Sequence, residues 1–192
     1  MMQPKEWTEE KLIEMCAKGN GTAQRLLYER FYKKMYVVAL RYSKTTFEAE
    51  DILQESFVKV FGAIENFKKD STLDYWIKRI VINTALKQNR RILDKMHMDD
   101  VDDMVEEPAS EVFADQSYDF KELLAIIQQL SPGYQAVFNL YAIEGYKHNE
   151  IAEMLGISEG TSKSQYARAK ALIQKMLAKD EEKVYEKHRE RI

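Results

Sequence analysis

Cations, an amide and an aromatic ring recur at intervals of three and four between residues 72 and 91. On a helix this spacing places them along one side. Unpaired bases are held by stacking on rings and by hydrogen bonds to their edges, while cations follow the phosphates. The pattern predicts a surface for melted DNA, with an ordinary amphipathic helix carrying a half-buried Trp as the alternative. The residues concerned are Trp76, Arg79, Asn83, Lys87 and Arg90.

A second nucleic-acid pattern begins near Tyr146. A helix-turn-helix needs a small residue in its first helix, a turn that visits φ > 0, an apolar turn residue and a capped second helix. Ala152, Gly156, Ile157 and Ser158 meet these needs in order, although a helical hairpin with a solvated face is the alternative. The residues expected to face inward are Ala169, Leu172, Ile173 and Met176. Those expected to face DNA are Lys163, Ser164, Ala167, Arg168, Ala171 and Lys175.

An acidic and apolar face is predicted on the helix that starts near Glu48. Its core stripe consists of Leu53, Phe57, Val60, Phe61 and Ile64. The opposite side carries Asp51, Gln54, Glu55 and Val58. Such a face repels DNA and suits a protein partner with basic residues, unless it is simply solvated. The polar loop at residues 67–72 follows, where it could receive an extruded base, whose flipping costs a few kcal/mol.

Helices must position all of these residues. The period of apolar residues predicts helices at 8–17, 21–32, 33–44, 47–64, 72–91, 118–130, from Ser131-Pro132 onward, 148–155 and 159–178. Thr72 is a candidate N-cap, and Pro132 suits the first helical position. Residues 92–117 hold one basic and nine acidic residues, which predicts a flexible linker. The predicted fold is all-α, with two small helical domains at 1–91 and 118–178 and this acidic linker between them. The charged stretch at 179–192 is either a frayed helical extension or a charged tail.

Composition excludes several classes of protein. A chain with a formal net charge of −3 should bind DNA weakly by itself, so a carrier is expected to bring it there. The single Cys16 reads as a core residue, and no secretory leader or membrane span is evident, which predicts a cytoplasmic protein. The three histidines are scattered, and the sequence has no Gly-rich phosphate loop. We therefore expect that the protein is not an enzyme and binds no metal or cofactor.

Three ordered blocks resemble the bacterial sigma-70 family, in its small extracytoplasmic-function (ECF) group. They are Ala-Glu-Asp-Ile-Leu-Gln-Glu-Ser-Phe at 49–57, Thr-Leu-Asp-Tyr-Trp-Ile-Lys-Arg-Ile-Val-Ile-Asn at 72–83, and the block from Leu130 to Leu172. The resemblance covers about residues 8 to 177. It implies two helical domains, region 2 and region 4, that join core RNA polymerase and confer promoter specificity without catalysis.

The resemblance also implies roles for individual residues. Asp51, Gln54 and Glu55 match the segment that docks on the β′ clamp helices, and the β flap is the second part of core polymerase expected to contact the chain. The residues matching minus-ten contacts are Lys68, Lys69, Ser71, Thr72, Trp76, Arg79, Asn83, Lys87, Arg90 and Arg91. Those matching the minus-thirty-five contacts are Lys163, Ser164, Ala167, Arg168 and Lys175. An anti-sigma partner is expected as well, and the linker would run through the RNA-exit path.

The chain departs from the family pattern at a few positions. Lys147-His148 replaces a usual Ser-Tyr-like pair, Ser162 replaces Val, and Gln165 stands where Arg is frequent. We expect the Ser162 hydroxyl to bond back to a carbonyl of its own helix and to cost stability. Two alternatives to a sigma factor are a free-standing helix-turn-helix regulator, and a sigma mimic that sequesters an anti-sigma protein.

Overall fold

The computed structural model describes the backbone of residues 7–96 and 118–189, and the side chains of residues 7–90 and 121–178. Every regular element in these ranges is helical. The chain divides into two compact units, Met1–Val112 and Phe113–Ile192. The all-α, two-domain prediction is therefore confirmed. Residues 92–96 of the predicted acidic linker continue the helix that ends at Met96, and residues 97–117 lie outside the described residues.

The described residues of the first unit, 7–96, form four α-helices. They are α1 (Glu9–Ala17), α2 (Gly21–Leu40), α3 (Thr46–Ala63) and α4 (Leu73–Met96), with a short 3₁₀ turn (Ile64–Asn66) after α3. The prediction of two helices at 21–32 and 33–44 was wrong, because α2 is continuous. No Gly or Pro interrupts residues 22–40, and Leu27, Phe31 and Met35 stay buried at a spacing of four.

The core of the first unit lies where α2, α3 and α4 pack against one another, with α1 against α2. Leu53, Val60, Ile77 and Val81 are almost completely buried there. Cys16 is also buried, as predicted, and burial raises the pKa of its thiol to about 11. Since α3 and α4 each bury one face in this core, their other faces are left for partners.

The second unit is built around its last helix. It comprises α5 (Tyr118–Gln128), α6 (Pro132–Phe138), a π-helical turn (Asn139–Ile143), α7 (His148–Leu155) and α8 (Glu159–Arg189). Pro132 starts α6 as expected. The core cluster is made by Ile126, Leu130, Ala169 and Ile173, with Tyr134, Phe138 and Met176 packed around it. Short helices α5, α6 and α7 all contact α8, which thereby becomes a rigid support for the residues on its outer side.

One prediction about α8 needs correction. The backbone of α8 stays helical to Arg189, so residues 179–189 extend the helix, which was one of the two alternatives for the charged stretch at 179–192. Leu172 was expected to face inward, but its side chain is exposed. Ala169, Ile173 and Met176 already fill the contact stripe at spacings of four and three, and Leu172 falls beside that stripe.

Candidate nucleic-acid interface

An exposed polar stripe runs along α4. Arg79, Asn83, Lys87 and Arg90 are all exposed, as expected from their spacing. The helix starts where Thr72 accepts a hydrogen bond from the Tyr75 backbone N–H, at 3.3 Å from oxygen to nitrogen. These side chains therefore stand on a capped helix whose opposite face is fixed in the core. Arg91 lies within α4, but its side chain is outside the described residues.

Trp76 does not share this exposed surface. Its ring is half-buried and packs against Phe67, with 5.2 Å between the ring centroids and 45° between their planes. The indole thus pins the loop of residues 67–72 to the start of α4. The expectation that Trp76 lines one exposed surface with Arg79 and Asn83 is corrected, because Phe67 of the preceding loop covers part of the indole.

The aromatic side chain that is exposed at the start of α4 is Tyr75. It is 41 % exposed and stands four residues before Arg79. The Lys78 ammonium lies 5.7 Å from the centroid of its ring. The sequence prediction did not include Tyr75, although its place one helical turn before Arg79 can be read from the sequence.

The loop before α4 carries an unusual backbone conformation. Lys69 has φ of 62°, in the left-handed region that side chains other than Gly rarely adopt. Its ammonium lies 3.2 Å from a carboxylate oxygen of Glu10 on α1. Lys68, Lys69, Ser71 and Thr72 are all exposed. The loop therefore presents the four predicted side chains at the surface, while Phe67 anchors the start of the loop against Trp76.

The acidic face of α3 is exposed and longer than predicted. Asp51 and Gln54 are exposed, and Val58 follows with 72 % of its surface accessible. Phe47 is 68 % exposed and precedes Asp51 by one helical turn, so it joins the same face. Glu55 differs from its neighbours, because its carboxylate is 2.8 Å from the Lys59 ammonium. The face thus combines two exposed apolar side chains with polar and acidic ones between them.

The helix-turn-helix forms in the second unit as predicted. Gly156 ends α7 with φ of 69°, a left-handed conformation that glycine adopts without strain. The Ile157 N–H donates to the Ala152 carbonyl at 3.0 Å, which closes the turn. Ser158 then caps α8, since its hydroxyl accepts from the Thr161 N–H at 3.0 Å.

The outer side of α8 carries the predicted recognition residues. Lys163, Ser164, Ala167, Arg168, Ala171 and Lys175 are exposed. The Lys163 ammonium lies 2.6 Å from Glu159, and this hydrogen bond together with the charge of Lys163 lowers the pKa of the Glu159 carboxyl. A phosphate that binds Lys163 must therefore replace an ionised carboxylate.

Two of the departures from the family pattern contact each other. The Ser162 hydroxyl lies 2.9 Å from Nδ1 of His148, so the expected bond to a carbonyl of its own helix was wrong. Ser162 is completely buried, and the His148 ring stacks on Tyr141 with 4.3 Å between centroids and 12° between planes. The crossing of α7 and α8 brings the His148 ring next to Ser162, so the Ser162 hydroxyl bonds to the imidazole of α7 and not to a carbonyl of α8. The pair links the two helices of the motif.

The other departures have simpler consequences. The Lys147 side chain cannot accept a hydrogen bond from the backbone N–H groups at the start of α7. The backbone N–H of Lys147 itself donates to a carboxylate oxygen of Glu150, at 2.7 Å from nitrogen to oxygen. Gln165 lies against Gly133 at the start of α6.

Within the described residues no group of three His, Cys, Asp or Glu side chains could hold a metal ion. None of the described helices is long and apolar enough to cross a membrane.

Comparison with known proteins places both units. Residues 27–92 match the family model for sigma-70 region 2, and residues 120–173 match the model for sigma-70 region 4. The ECF RNA polymerase sigma factor SigM of Mycobacterium tuberculosis is 27 % identical over 177 residues, covering 90 % of this chain and 86 % of that protein. The RNA polymerase sigma-H factor of Pseudomonas aeruginosa is 28 % identical and covers 88 % of this chain and 93 % of its own length.

A solved structure has a similar fold. The sigma factor RpoE, determined in complex with the anti-sigma factor NepR from Bartonella quintana, aligns with a TM-score of 0.55 at 22 % identity, covering 80 % of this chain and 96 % of that one. The two family models together match more than half of the chain, in the order that its helices predict. The protein therefore belongs to the sigma-70 family, in its ECF group.

Proposed function

We propose that this sigma factor joins core RNA polymerase and directs it to promoters with two separate DNA elements. Region 2, assigned to residues 1–91, reads and melts the minus-ten element. Region 4, assigned to residues 118–178, reads the minus-thirty-five element in duplex form. The chain itself performs no catalysis in this scheme and acts in the cytoplasm with the polymerase.

The observation that carries the proposal is the separation of three exposed surfaces with different chemistry. An acidic and apolar face on α3 suits a basic protein segment, whereas the cationic stripe on α4 suits melted DNA. The outer side of α8 presents small and cationic residues at the position where a recognition helix enters the major groove. A regulator that binds only duplex DNA needs the third surface and has no use for the other two.

Residue roles follow from these surfaces. Asp51, Gln54 and Glu55 contact the clamp helices of core polymerase, with Phe47 and Val58 as apolar contacts on the same face. The proposed minus-ten contacts are Lys68, Lys69, Ser71, Thr72, Trp76, Arg79, Asn83, Lys87, Arg90 and Arg91. The proposed minus-thirty-five contacts are Lys163, Ser164, Ala167, Arg168 and Lys175. The main role proposed for Trp76 is to hold the loop of residues 67–72 in place through its contact with Phe67. Stacking of the Trp76 ring on a base is a smaller part of this role.

Two further partners belong to the proposal. The acidic linker would follow the RNA-exit path of the polymerase, and region 4 would meet the β flap. An anti-sigma factor would hold the chain inactive, by analogy with the sigma factor that was solved in complex with NepR. No cofactor takes part.

Two variants separate polymerase binding from promoter opening. Asp51→Arg reverses an exposed charge on α3 and is preferable to a change at Glu55, which would also disturb Lys59. We expect Asp51→Arg to weaken binding to core polymerase in a pull-down, while Glu65→Arg, an exposed charge reversal in the 3₁₀ turn after α3, leaves it unchanged. Unchanged binding of Asp51→Arg would remove the docking assignment.

Asn83→Ala addresses the minus-ten assignment. The side chain is exposed on α4, so its loss should leave folding and core binding intact. We expect reduced permanganate reactivity of the melted region at a cognate promoter, with Lys33→Ala on α2 as the exposed control. Normal reactivity of the Asn83→Ala holoenzyme would contradict the role proposed for this stripe.

A further inference from the structure

Lys59 is a basic residue of α3 beside the acidic face that is proposed to bind core polymerase. We infer that its ammonium is an internal counter-ion of Glu55, which a basic residue of the polymerase replaces when the chain docks. Lys59 thereby sets how tightly the chain binds core polymerase. This inference rests on the proposed function, because it requires that the acidic face of α3 docks on the polymerase.

The Lys59 ammonium contacts acceptors on two helices. It lies 2.8 Å from a carboxylate oxygen of Glu55, one turn earlier on α3. It also donates a hydrogen bond to the hydroxyl oxygen of Thr84 on α4, at 3.0 Å from nitrogen to oxygen. Thr84 is only 2 % exposed, and its hydroxyl donates in turn to the Ile80 carbonyl at 2.8 Å. The ammonium therefore has a second acceptor whose position does not depend on Glu55.

The exposure of the ion pair allows an exchange of partners. The side chains of Lys59 and Glu55 are 39 % and 42 % exposed, so a cation from a docking protein can reach the carboxylate. A displaced ammonium is costly when it is left buried and unpaired. Lys59 avoids that cost, because it keeps its hydrogen bond to Thr84 and its contact with water when Glu55 takes another partner.

The charge of Lys59 gives the effect its direction. An incoming cation competes with the Lys59 ammonium for Glu55, and the two like charges repel each other at close range. Removal of the ammonium should therefore strengthen core binding, whereas removal of the Glu55 carboxylate should weaken it. An ion pair that only stabilised the fold would not give opposite effects on binding when its two members are removed in turn.

The test measures the affinity of the full, fluorescently labelled chain for core polymerase by titration. Lys59→Met keeps most of the aliphatic stem and removes the ammonium. We expect it to bind about threefold more tightly, which corresponds to ~0.7 kcal/mol and lies within the range of exposed ion pairs. In a Glu55→Gln background the same replacement should change nothing, because no carboxylate remains to compete for. Lys18→Met, which removes the cation of an equally spaced pair with Glu14 on α1, is the control and should bind as the parent does.

Two further variants keep the test decisive. Lys59→Gln retains a donor for Thr84 without the charge, and it should bind core polymerase as tightly as Lys59→Met does. Unchanged or weaker binding of both Lys59 variants would overturn the inference, as would an equal gain in the Glu55→Gln background. Asp51→Arg, measured in the same titration, separates the two levels of the argument. If Asp51→Arg binds like the parent, the docking assignment of the proposed function fails; if it binds weakly while the Lys59 variants bind like the parent, only the counter-ion role fails.

Discussion

The hydrogen bond between His148 and Ser162 gives a prediction whose size follows from the structure. Ser162→Ala removes a completely buried hydroxyl that lies 2.9 Å from Nδ1 of His148. The net loss of a hydrogen bond is about 0.5–1.5 kcal/mol, and a buried partner left unsatisfied costs about 1–3 kcal/mol. His148 is only half-buried, so water can partly replace the hydroxyl. We therefore expect a decrease of about 1–1.5 kcal/mol in the free energy of unfolding of the second unit.

A double-mutant cycle on the full chain measures this coupling. His148→Phe keeps a ring that can stack on Tyr141 but removes the hydrogen-bonding nitrogen. Calorimetry or urea unfolding should show that Ser162→Ala costs much less in the Phe background, with a coupling of about 1 kcal/mol. Ser164→Ala, an exposed serine on the same helix, serves as control and should change stability by less than about 0.5 kcal/mol. An equal cost of Ser162→Ala in both backgrounds would refute the link between α7 and α8.

Three further predictions concern other parts of the chain. Lys147→Ser supplies the missing side-chain acceptor at the start of α7 and should stabilise the second unit by about 0.5–1 kcal/mol in thermal unfolding, whereas Lys147→Ala should not. The Cys16 thiol has a pKa of about 11 in the folded protein and ionises near 9 in the unfolded chain. The free energy of unfolding should therefore fall as pH rises from 9 through 11. Cys16→Ala should show a shallower fall in the urea midpoint over that range. Phe47→Ala should weaken core-polymerase binding without lowering the melting temperature, since the side chain is 68 % exposed; unchanged affinity would limit the docking face to its polar residues.

The helical fold was predictable because local signals agreed with tertiary packing. Apolar spacing located the helices, Pro132 and Ser158 marked helix starts, and Gly156 marked the turn. The continuous α2 was predicted as two helices, although the polar stretch around Lys33 and Lys34 contains neither Gly nor Pro. Without Gly or Pro, burial at Phe31 and Met35 carries the helix across that stretch.

The side-chain arrangement was less predictable, for reasons of geometry. A helical repeat shows which side a residue faces, but not which side chains of another segment cover it, so the packing of Phe67 on Trp76 was not predictable. Leu172 was placed inward because it lies at the edge of the buried stripe of α8. The His148–Ser162 bond joins residues fourteen apart on two helices, and no periodic pattern within one helix could reveal it. Long-range partners of this kind depend on the crossing of α7 and α8, which sequence alone does not specify.

Run-off transcription over a library of promoter sequences tests the central claim most directly. Core polymerase is supplied alone, with the chain, and with Asp51→Arg or Asn83→Ala in its place. The account predicts specific transcripts only when the parent chain is present, from templates that share two separated elements, and a loss of product with either variant. Specific product from core alone, or product that needs no second element upstream of the melted one, would contradict it.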